Sequence, residues 1–448
     1  MMMRGLILPV MLALAQPVLA ETAAPGVSTF RLDNGLEAVV IEDHRAPVVV
    51  QMVWYRAGAA DEARGKTGVA HFLEHLMFKG TEHLAPGELS KVVEANGGSD
   101  NAFTSQDYTA YFQRIASDRL DLVMGMEADR MRGLKLSEDD WATELQVIIE
   151  ERAERTDSDP GALFGEQLRA AQYLNHPYGA PVIGWPDEMR ALTREDALAW
   201  YQRFYAPNNA VLVVAGDVTP DQVKALAEKH YGPLAPTEGL APRQRVAEPP
   251  QLAQRRLEMA DPRVSQPILR RSYLADHRRP GDQRQAAALT VLAEVLGGSA
   301  QTSVLGRSLT LGDAPKALQV GAWYDGDALD YGSFDLALVP LPGADPDEAE
   351  AAMDAALAQF LKDGVDPAQL DRIRTQVRAA EIYKRDSAMA QAQEYGAALT
   401  TGLGVADVQA WPDALAAVTA EDVMAAARAV LDPAKSVNGW LLPAGGES

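Results

Sequence analysis

The chain contains no cysteine, so disulfide bonds, a thiolate nucleophile and a cysteine-based metal site are all excluded. Histidines number only seven in 448 residues, and aromatic residues make up 6%. Basic residues are scarce relative to acidic ones, 41 against 63, which gives a formal net charge of −22. This charge argues strongly against nucleic acid or an anionic membrane surface as a partner. It is compatible with basic substrates, although a solvated acidic surface is the more common explanation.

Long apolar runs are missing beyond the N-terminus, where no segment reaches the roughly 20 residues that a membrane span requires. Residues 1–20, MMMRGLILPVMLALAQPVLA, combine one cation at Arg4, a short apolar stretch and a small-x-small end at Val18-Leu19-Ala20. That layout is typical of a secretory signal peptide, and a membrane anchor is the less favoured alternative because the apolar run is short. We expect cleavage after Ala20 and, if the source is a Gram-negative bacterium, a periplasmic protein without a membrane span.

An internal repeat indicates two homologous halves. WPDEMRALTREDALAWYQRFYAP at 185–207 matches WPDALAAVTAEDVMAAARAVLDP at 411–433 without a gap, at a constant offset of 226 residues. Each copy predicts a turn, a helix capped by Thr193 or Thr419, a proline stop and a strand.

The domain organisation predicted from this repeat has four parts. Residues 1–20 are the signal peptide, 21–231 the N-terminal domain, 232–251 a proline-rich linker and 252–448 a C-terminal homologous domain. Strands and helices interleave in each half without a regular βαβ rhythm, which favours an α+β fold with two α/β-sandwich halves.

The segment VAHFLEHLMFKGT at 69–81 contains the most specific pattern, His71-x-x-Glu74-His75. On a helix, His71 and His75 lie one turn apart on one face and can hold a single ion, with Glu74 beside them. This is the inverted form of the H-E-x-x-H zinc motif. A catalytic zinc takes three protein ligands and leaves one position for water, whose pKa it lowers from about 15.7 to about 7. Spacing alone does not choose the third ligand from 63 acidic residues.

The stretch RAGAADEARGKTGVAHFLEHLMFKGT resembles the signature of the pitrilysin/insulinase (inverzincin) zinc metallopeptidases, peptidase family M16. It is most similar to the branch that contains the mitochondrial processing peptidase β-subunit and its small bacterial relatives. The resemblance implies the LuxS/processing-peptidase-like fold in each half, one Zn²⁺ per chain and Glu74 as the general base. It implies Glu151 as the third ligand, by register in preference to Glu150, and a supporting catalytic role for Glu144.

Other stretches are similar to the same family. The segment GGSDNAFTSQDYTAYF resembles the family's strand beside the zinc, which implies that Asn101, Ala102 and Phe103 bind an extended substrate by strand addition. An ordinary edge strand after a Gly-Gly turn is an equally good interpretation of this segment alone. His176, in HPYGAPVIGWPD, is expected to be a turn residue and not a ligand.

The second half departs from the family pattern. Val304 stands where the resemblance predicts an arginine near the scissile carbonyl, and Gln319 stands where it predicts a tyrosine. Arg307 and Tyr324 are nearby but out of register. His277 is the only histidine of this half, so a second zinc site of the same kind is excluded.

The sequence therefore predicts an exported zinc endopeptidase that hydrolyses peptides or unfolded polypeptides, basic ones among the candidates. Because donors to the developing oxyanion are missing, we expect a heterodimer with a homologous zinc-less subunit that carries the arginine and the tyrosine. Two alternatives are a non-catalytic scaffold or assembly subunit of the same fold and a zinc-sequestering protein.

Overall fold

A computed structural model describes residues 26–311 and 313–444. The predicted signal peptide lies outside the described residues. Two sheets form the frame, one for each half, with strand orders β1-β2-β8-β3-β6-β5 and β11-β12-β10-β13-β9. The first half contains the strands β1 (Val27–Arg31), β2 (Glu37–Glu42), β3 (Val48–Tyr55), β4 (Gly80–Thr81), β5 (Ser99–Thr104), β6 (Thr109–Ala116), β7 (Leu134–Lys135) and β8 (Ala210–Gly216). The second contains β9 (Arg255–Asp261), β10 (Ile268–Ala275), β11 (Ala317–Asp325), β12 (Gly332–Pro340) and β13 (Ser436–Pro443).

Helices are distributed over both halves. Those of the first half are α1 (Val69–Leu76), α2 (Glu88–Ala95), α3 (Leu120–Gly133), α4 (Glu138–Arg152), α5 (Pro160–Gln172), α6 (Pro186–Ala191), α7 (Arg194–Phe204) and α8 (Pro220–His230). Those of the second are α9 (Arg284–Gly297), α10 (Pro346–Asp363), α11 (Pro367–Lys384), α12 (Ala388–Thr400), α13 (Val405–Ala417) and α14 (Ala420–Val430). None of the helices among the described residues is both long enough and apolar enough to cross a membrane.

Five strands follow the same order in both sheets, as the repeat predicts, and the first sheet has β1 as an additional edge strand. In each sheet the C-terminal strand, β8 or β13, lies between a parallel neighbour and an antiparallel one. Thr193 and Thr419 cap α7 and α14 through reciprocal bonds with Asp196 and Asp422, which confirms both predicted helix starts. The predicted turn is wrong in both copies, because Pro186–Ala191 form α6, and Trp411 and the proline after it lie inside α13.

Each half donates one helix to the sheet of the other. Helix α5 packs on β13, β9 and β10, and α12 packs on β8, β3 and β2. These helices occupy equivalent positions in the repeat. Gly396 of α12 faces the indole of Trp54, and Gly439 of β13 faces the ring of Phe164 on α5. The apolar faces of both sheets are thus covered reciprocally, with Trp54 and Tyr395 in the same buried cluster.

Candidate metal centre and active site

Helix α1 is amphipathic and carries the two histidines on its less buried face. Its apolar residues Phe72, Leu73 and Leu76 are fully buried in the hydrophobic core of the first half. The helix begins at Gly68, whose φ of 93° is the left-handed conformation that favours glycine. The buried carboxylate of Glu62 accepts hydrogen bonds from the backbone N–H groups of Gly68, at 2.9 Å, and Ala70, at 2.8 Å. This contact stabilises the helix start because the first N–H groups of a helix have no partner within it.

Helix α4 brings two carboxylates to α1 from a distant part of the sequence. It starts at a capping box formed by Ser137 and Asp140. The ring of Trp141 stacks on Phe72 of α1, with centroids 4.1 Å apart. Glu144 and Glu151 follow at spacings of one and three turns, so both face α1. Glu150 is exposed and lies outside the cluster.

His71, His75 and Glu151 converge. One potential ligand atom from each lies within 4.8 Å of the other two. Oε2 of Glu151 is 3.7 Å from Nε2 of His71 and 3.2 Å from Nε2 of His75. This oxygen is buried and makes no hydrogen bond with the described residues. Since a buried acceptor without a partner is costly, and two imidazole nitrogens with one carboxylate are a donor set that suits zinc, the three residues fit a zinc ion.

Glu144 and Glu151 are each held by further contacts. Oε1 of Glu144 lies 3.0 Å from Nδ1 of His75, and its other oxygen pairs with Lys79. Oε1 of Glu151 pairs with Arg155 at 2.6 Å. The carboxylate of Glu144 therefore fixes the orientation of the His75 ring, as carboxylate partners of metal-binding histidines do.

Glu74 lies beside the cluster and not within it. Its side chain is buried, and Oε2 accepts a hydrogen bond of 2.5 Å from the hydroxyl of Thr104 at the end of β5. Burial raises the pKa of Glu74 above its usual value, against the opposing effect of the Thr104 hydrogen bond. A carboxylate with a raised pKa is a stronger base, which suits proton transfer near neutral pH.

The pKa values of the two histidines are shifted in opposite directions. Burial, together with the positive charge of His75, lowers the pKa of His71 to about 4. Burial also lowers the pKa of His75, but the hydrogen bond with Glu144 and the adjacent carboxylate of Glu151 outweigh it and raise this pKa to about 9. The pKa of Glu151 is lowered, chiefly by its contact with His75. Glu144 and Glu151 thus place one carboxylate against each nitrogen of the His75 ring.

The predicted substrate-binding residues lie on an edge strand. β5 pairs with β6 and is the last strand in the sheet order. Asn101 is exposed, whereas Ala102 and Phe103 are partly buried, and the Phe103 ring meets Trp54 edge-on at 5.2 Å. The strand presents a free backbone edge next to Thr104 and Glu74, which is the arrangement required for strand addition.

The residues that depart from the family pattern differ in their environments in the second half. Val304 packs against the second core, and Gln319 is exposed on β11. Arg307 is exposed, and the hydroxyl of Tyr324 donates to the carbonyl of Asp276 at 2.5 Å. His176 caps a 3₁₀ turn and lies 3.2 Å from Asp330, outside the metal cluster.

Sequence reasoning missed four supporting residues. Arg155 lies one helical turn after Glu151, so the i,i+4 spacing could have identified it, whereas Lys79 follows α1 and pairs with the distant Glu144. Thr104 and Glu62 reach the site only through the tertiary fold, and no local pattern predicts their contacts.

Comparisons with known proteins identify the family of the chain. The family model "Insulinase (Peptidase family M16)" matches residues 38–185, and "Peptidase M16 inactive domain" matches residues 191–377. The zinc protease PqqE of Helicobacter pylori is 36% identical over 231 residues, 51% of this chain and 52% of that protein. The chain therefore matches about half the length of this curated relative.

Solved structures share the whole fold. A protease from Helicobacter pylori has a TM-score of 0.87 and 28% identity, over 94% of this chain and 100% of that one. The periplasmic protease PqqL of Escherichia coli has a TM-score of 0.80 and 19% identity, over 95% of this chain and 48% of that one, which shows the shared fold alone. Since the family models match both halves, this chain belongs to the insulinase (M16) family of peptidases.

Proposed function

We propose that the protein is a zinc-dependent endopeptidase that hydrolyses peptides or unfolded polypeptides. The observation that carries this proposal is the convergence of His71, His75 and Glu151 beside the buried carboxylate of Glu74. In the proposal the first three residues hold one Zn²⁺. Zinc bound there would supply a Lewis acid for the scissile carbonyl and lower the pKa of a water.

Glu74 acts as the general base in this proposal. Thr104 binds Oε2, which leaves Oε1 to accept the proton of the attacking water. The raised pKa allows Glu74 to retain that proton and then to donate it to the leaving amine. Glu144 does not touch the substrate but orients His75 through Nδ1.

β5 would bind the substrate as an added strand. Backbone groups of successive residues point to alternate sides of a strand, so Asn101 and Phe103 pair with β6 and Ala102 faces the free edge. The Ala102 N–H donates to Oδ1 of Asn101 at 2.9 Å, a bond that a substrate carbonyl would replace. Recognition would depend on an extended conformation more than on side chains. Thr104 ends the strand and contacts Glu74, which brings a bound peptide close to the base. Basic peptides are the candidates that the net charge of −22 favours.

A partner subunit completes the proposed enzyme. Val304 has no hydrogen-bond donor, and Gln319 offers a neutral amide where the resemblance implies a tyrosine. Each oxyanion donor contributes about 3 kcal/mol to catalysis. We therefore propose a heterodimer with a homologous chain that lacks the zinc motif and supplies an arginine and a tyrosine. The signal-like sequence of residues 1–20 supports export to the periplasm.

The variant Glu74→Gln tests the function. It should keep one zinc per chain, measured by elemental analysis, and lose hydrolysis of fluorogenic peptides in the complex isolated from native cells. Glu82→Gln, at an exposed position, is the matched control and should retain full activity. If the Glu74 variant retained hydrolysis, or if the native complex hydrolysed no peptide, a scaffold role would replace the peptidase role.

A further inference from the structure

The segment that connects the two halves does more than join them. Residues 235–254 contain no helix or strand, yet Arg245 within this segment is almost completely buried, with 4% of its side chain exposed. We infer that Arg245 is a positioning residue that aligns β5 with α1, and so aligns the substrate-binding strand with Glu74 and the metal ligands. The inference rests on the proposed function for its catalytic consequence.

One edge of the Arg245 guanidinium binds the loop that precedes α1. Its Nη2 lies 2.9 Å from Oδ2 of Asp61, and its Nε lies 3.2 Å from Oδ1, so the pair is bidentate. Asp61 directly precedes Glu62, whose carboxylate binds the first N–H groups of α1. A bidentate arginine fixes both distance and orientation. Arg245 therefore restrains the loop that sets the start of the histidine helix.

The other side of the guanidinium holds the turn after β5. Nη1 pairs with the buried carboxylate of Asp107, which also accepts a hydrogen bond from the Tyr178 hydroxyl. Arg243, two residues earlier, donates to the Asp107 carbonyl at 2.7 Å. Asp107 follows Thr104 by three positions, and Thr104 binds Glu74 at 2.5 Å. The two edges of the Arg245 guanidinium thus contact the loop before α1 and the turn after β5, and these two elements must lie together at Glu74.

A third carboxylate extends this contact to the second half. Oδ2 of Asp330, in the connection between β11 and β12, lies 2.9 Å from Nη1 of Arg245. His176 approaches the same oxygen at 3.2 Å. One guanidinium therefore joins the metal-helix loop, the β5 turn and the second half.

Substitution of Arg245 by lysine should disturb this alignment. An ammonium is a point charge and cannot form the bidentate pair with Asp61 while it also holds Asp107. The two buried carboxylates would then lack part of their compensation and would move apart or take up water. Misplacement of reacting groups by about 1 Å can lower a rate by about 100-fold.

The matched control is Arg271→Lys. Arg271 is equally buried, with 3% of its side chain exposed, and also binds two carboxylates, Glu350 and Asp354, both within the second half. The test compares both variants with the parent complex by zinc content, by hydrogen exchange of residues 99–108, and by kcat and KM for a fluorogenic peptide.

The inference predicts that Arg245→Lys keeps zinc, exchanges faster at residues 99–108, raises KM and lowers kcat, with kcat/KM at least about 10-fold below the parent. Arg271→Lys should leave exchange in that segment unchanged and kcat/KM within twofold. Equal effects in both variants, or no effect in Arg245→Lys, would overturn the inference.

Two further outcomes remain informative. If Arg245→Lys does not fold, Asp330→Asn removes only the partly exposed third carboxylate and should change the same observables in the same direction by a smaller amount. No change in Asp330→Asn would then reject the link to the second half and with it the inference. If the parent complex lacks hydrolysis but exchange still responds selectively, the proposed function fails while the alignment role stands.

Discussion

Nδ1 of His75 lies 3.0 Å from Oε1 of Glu144, and this contact turns Nε2 of the same ring toward Glu151. The other oxygen of Glu144 is held by Lys79. A side chain outside the ligand set therefore determines how one ligand is presented. Such partners usually contribute 10- to 100-fold to metal affinity.

We expect Glu144→Gln to lower zinc affinity by about 10- to 100-fold while the fold is retained, because a neutral amide orients the imidazole less strongly. Competition with a chromogenic chelator measures the change, and circular dichroism checks the fold. Unchanged affinity would show that the His75 ring is held by packing alone.

Glu151→Gln and Glu150→Gln form a matched pair on α4. The first should abolish stoichiometric zinc binding because it removes the one carboxylate that faces both histidines, whereas the second changes an exposed side chain outside the cluster. Zinc content after dialysis against a weak chelator separates the two. Loss of zinc from Glu150→Gln, with retention in Glu151→Gln, would reverse the assignment.

Glu350 makes the stability of the second half depend on pH. Burial raises its pKa, but hydrogen bonds from Trp440 and Arg256 outweigh burial and hold the pKa below the usual value of 4.5. Because the folded-state pKa is the lower one, this stabilisation is complete above the unfolded-state pKa and is lost as the pH falls through the folded-state value.

Glu350→Gln should therefore lower the free energy of unfolding at pH 7 by about 2 kcal/mol, since hydrogen bonds to a charged group are replaced by weaker ones. The difference from the parent should narrow as the pH falls below 4.5. Urea denaturation at pH 7 and at acid pH measures it, and a difference independent of pH would contradict the assignment.

Gly396→Ala should destabilise the protein by about 1 to 3 kcal/mol, because a Cβ there would overlap the indole of Trp54 in a tightly packed interface. Gly165→Ala, in the equivalent helix α5, is the control, since the nearest atom to its added Cβ is Nη1 of Arg270 at 3.7 Å. We expect that variant to be neutral or stabilised through better helix propensity. Thermal unfolding compares the two, and equal midpoints would show that the interface can adjust.

Local patterns predicted a large part of the fold and of the candidate site. The H-x-x-E-H spacing was sufficient to predict that both histidines lie on one face of a helix, and Gly68 predicted where that helix starts. Thr193 and Thr419 predicted the starts of their helices because each capping box involves only four consecutive residues. The repeat predicted two similar halves because the same residues occur in the same order in both copies.

Contacts between distant segments could not be predicted in the same way. Thr104 contacts Glu74 only because the edge strand β5 lies next to α1 in the folded protein, and the sequence around neither residue predicts this contact. The turn predicted at Trp411 is wrong because the next residue, Pro412, lies inside α13, at a position where a local pattern predicts a helix break. The exchange of α5 and α12 could not be predicted, because the apolar periodicity of a helix does not show which of the two sheets it packs on.

That exchange limits how the chain can be divided. A fragment that ended at the connecting segment would expose the apolar sheet face that α12 covers and would carry an α5 without its receiving strands.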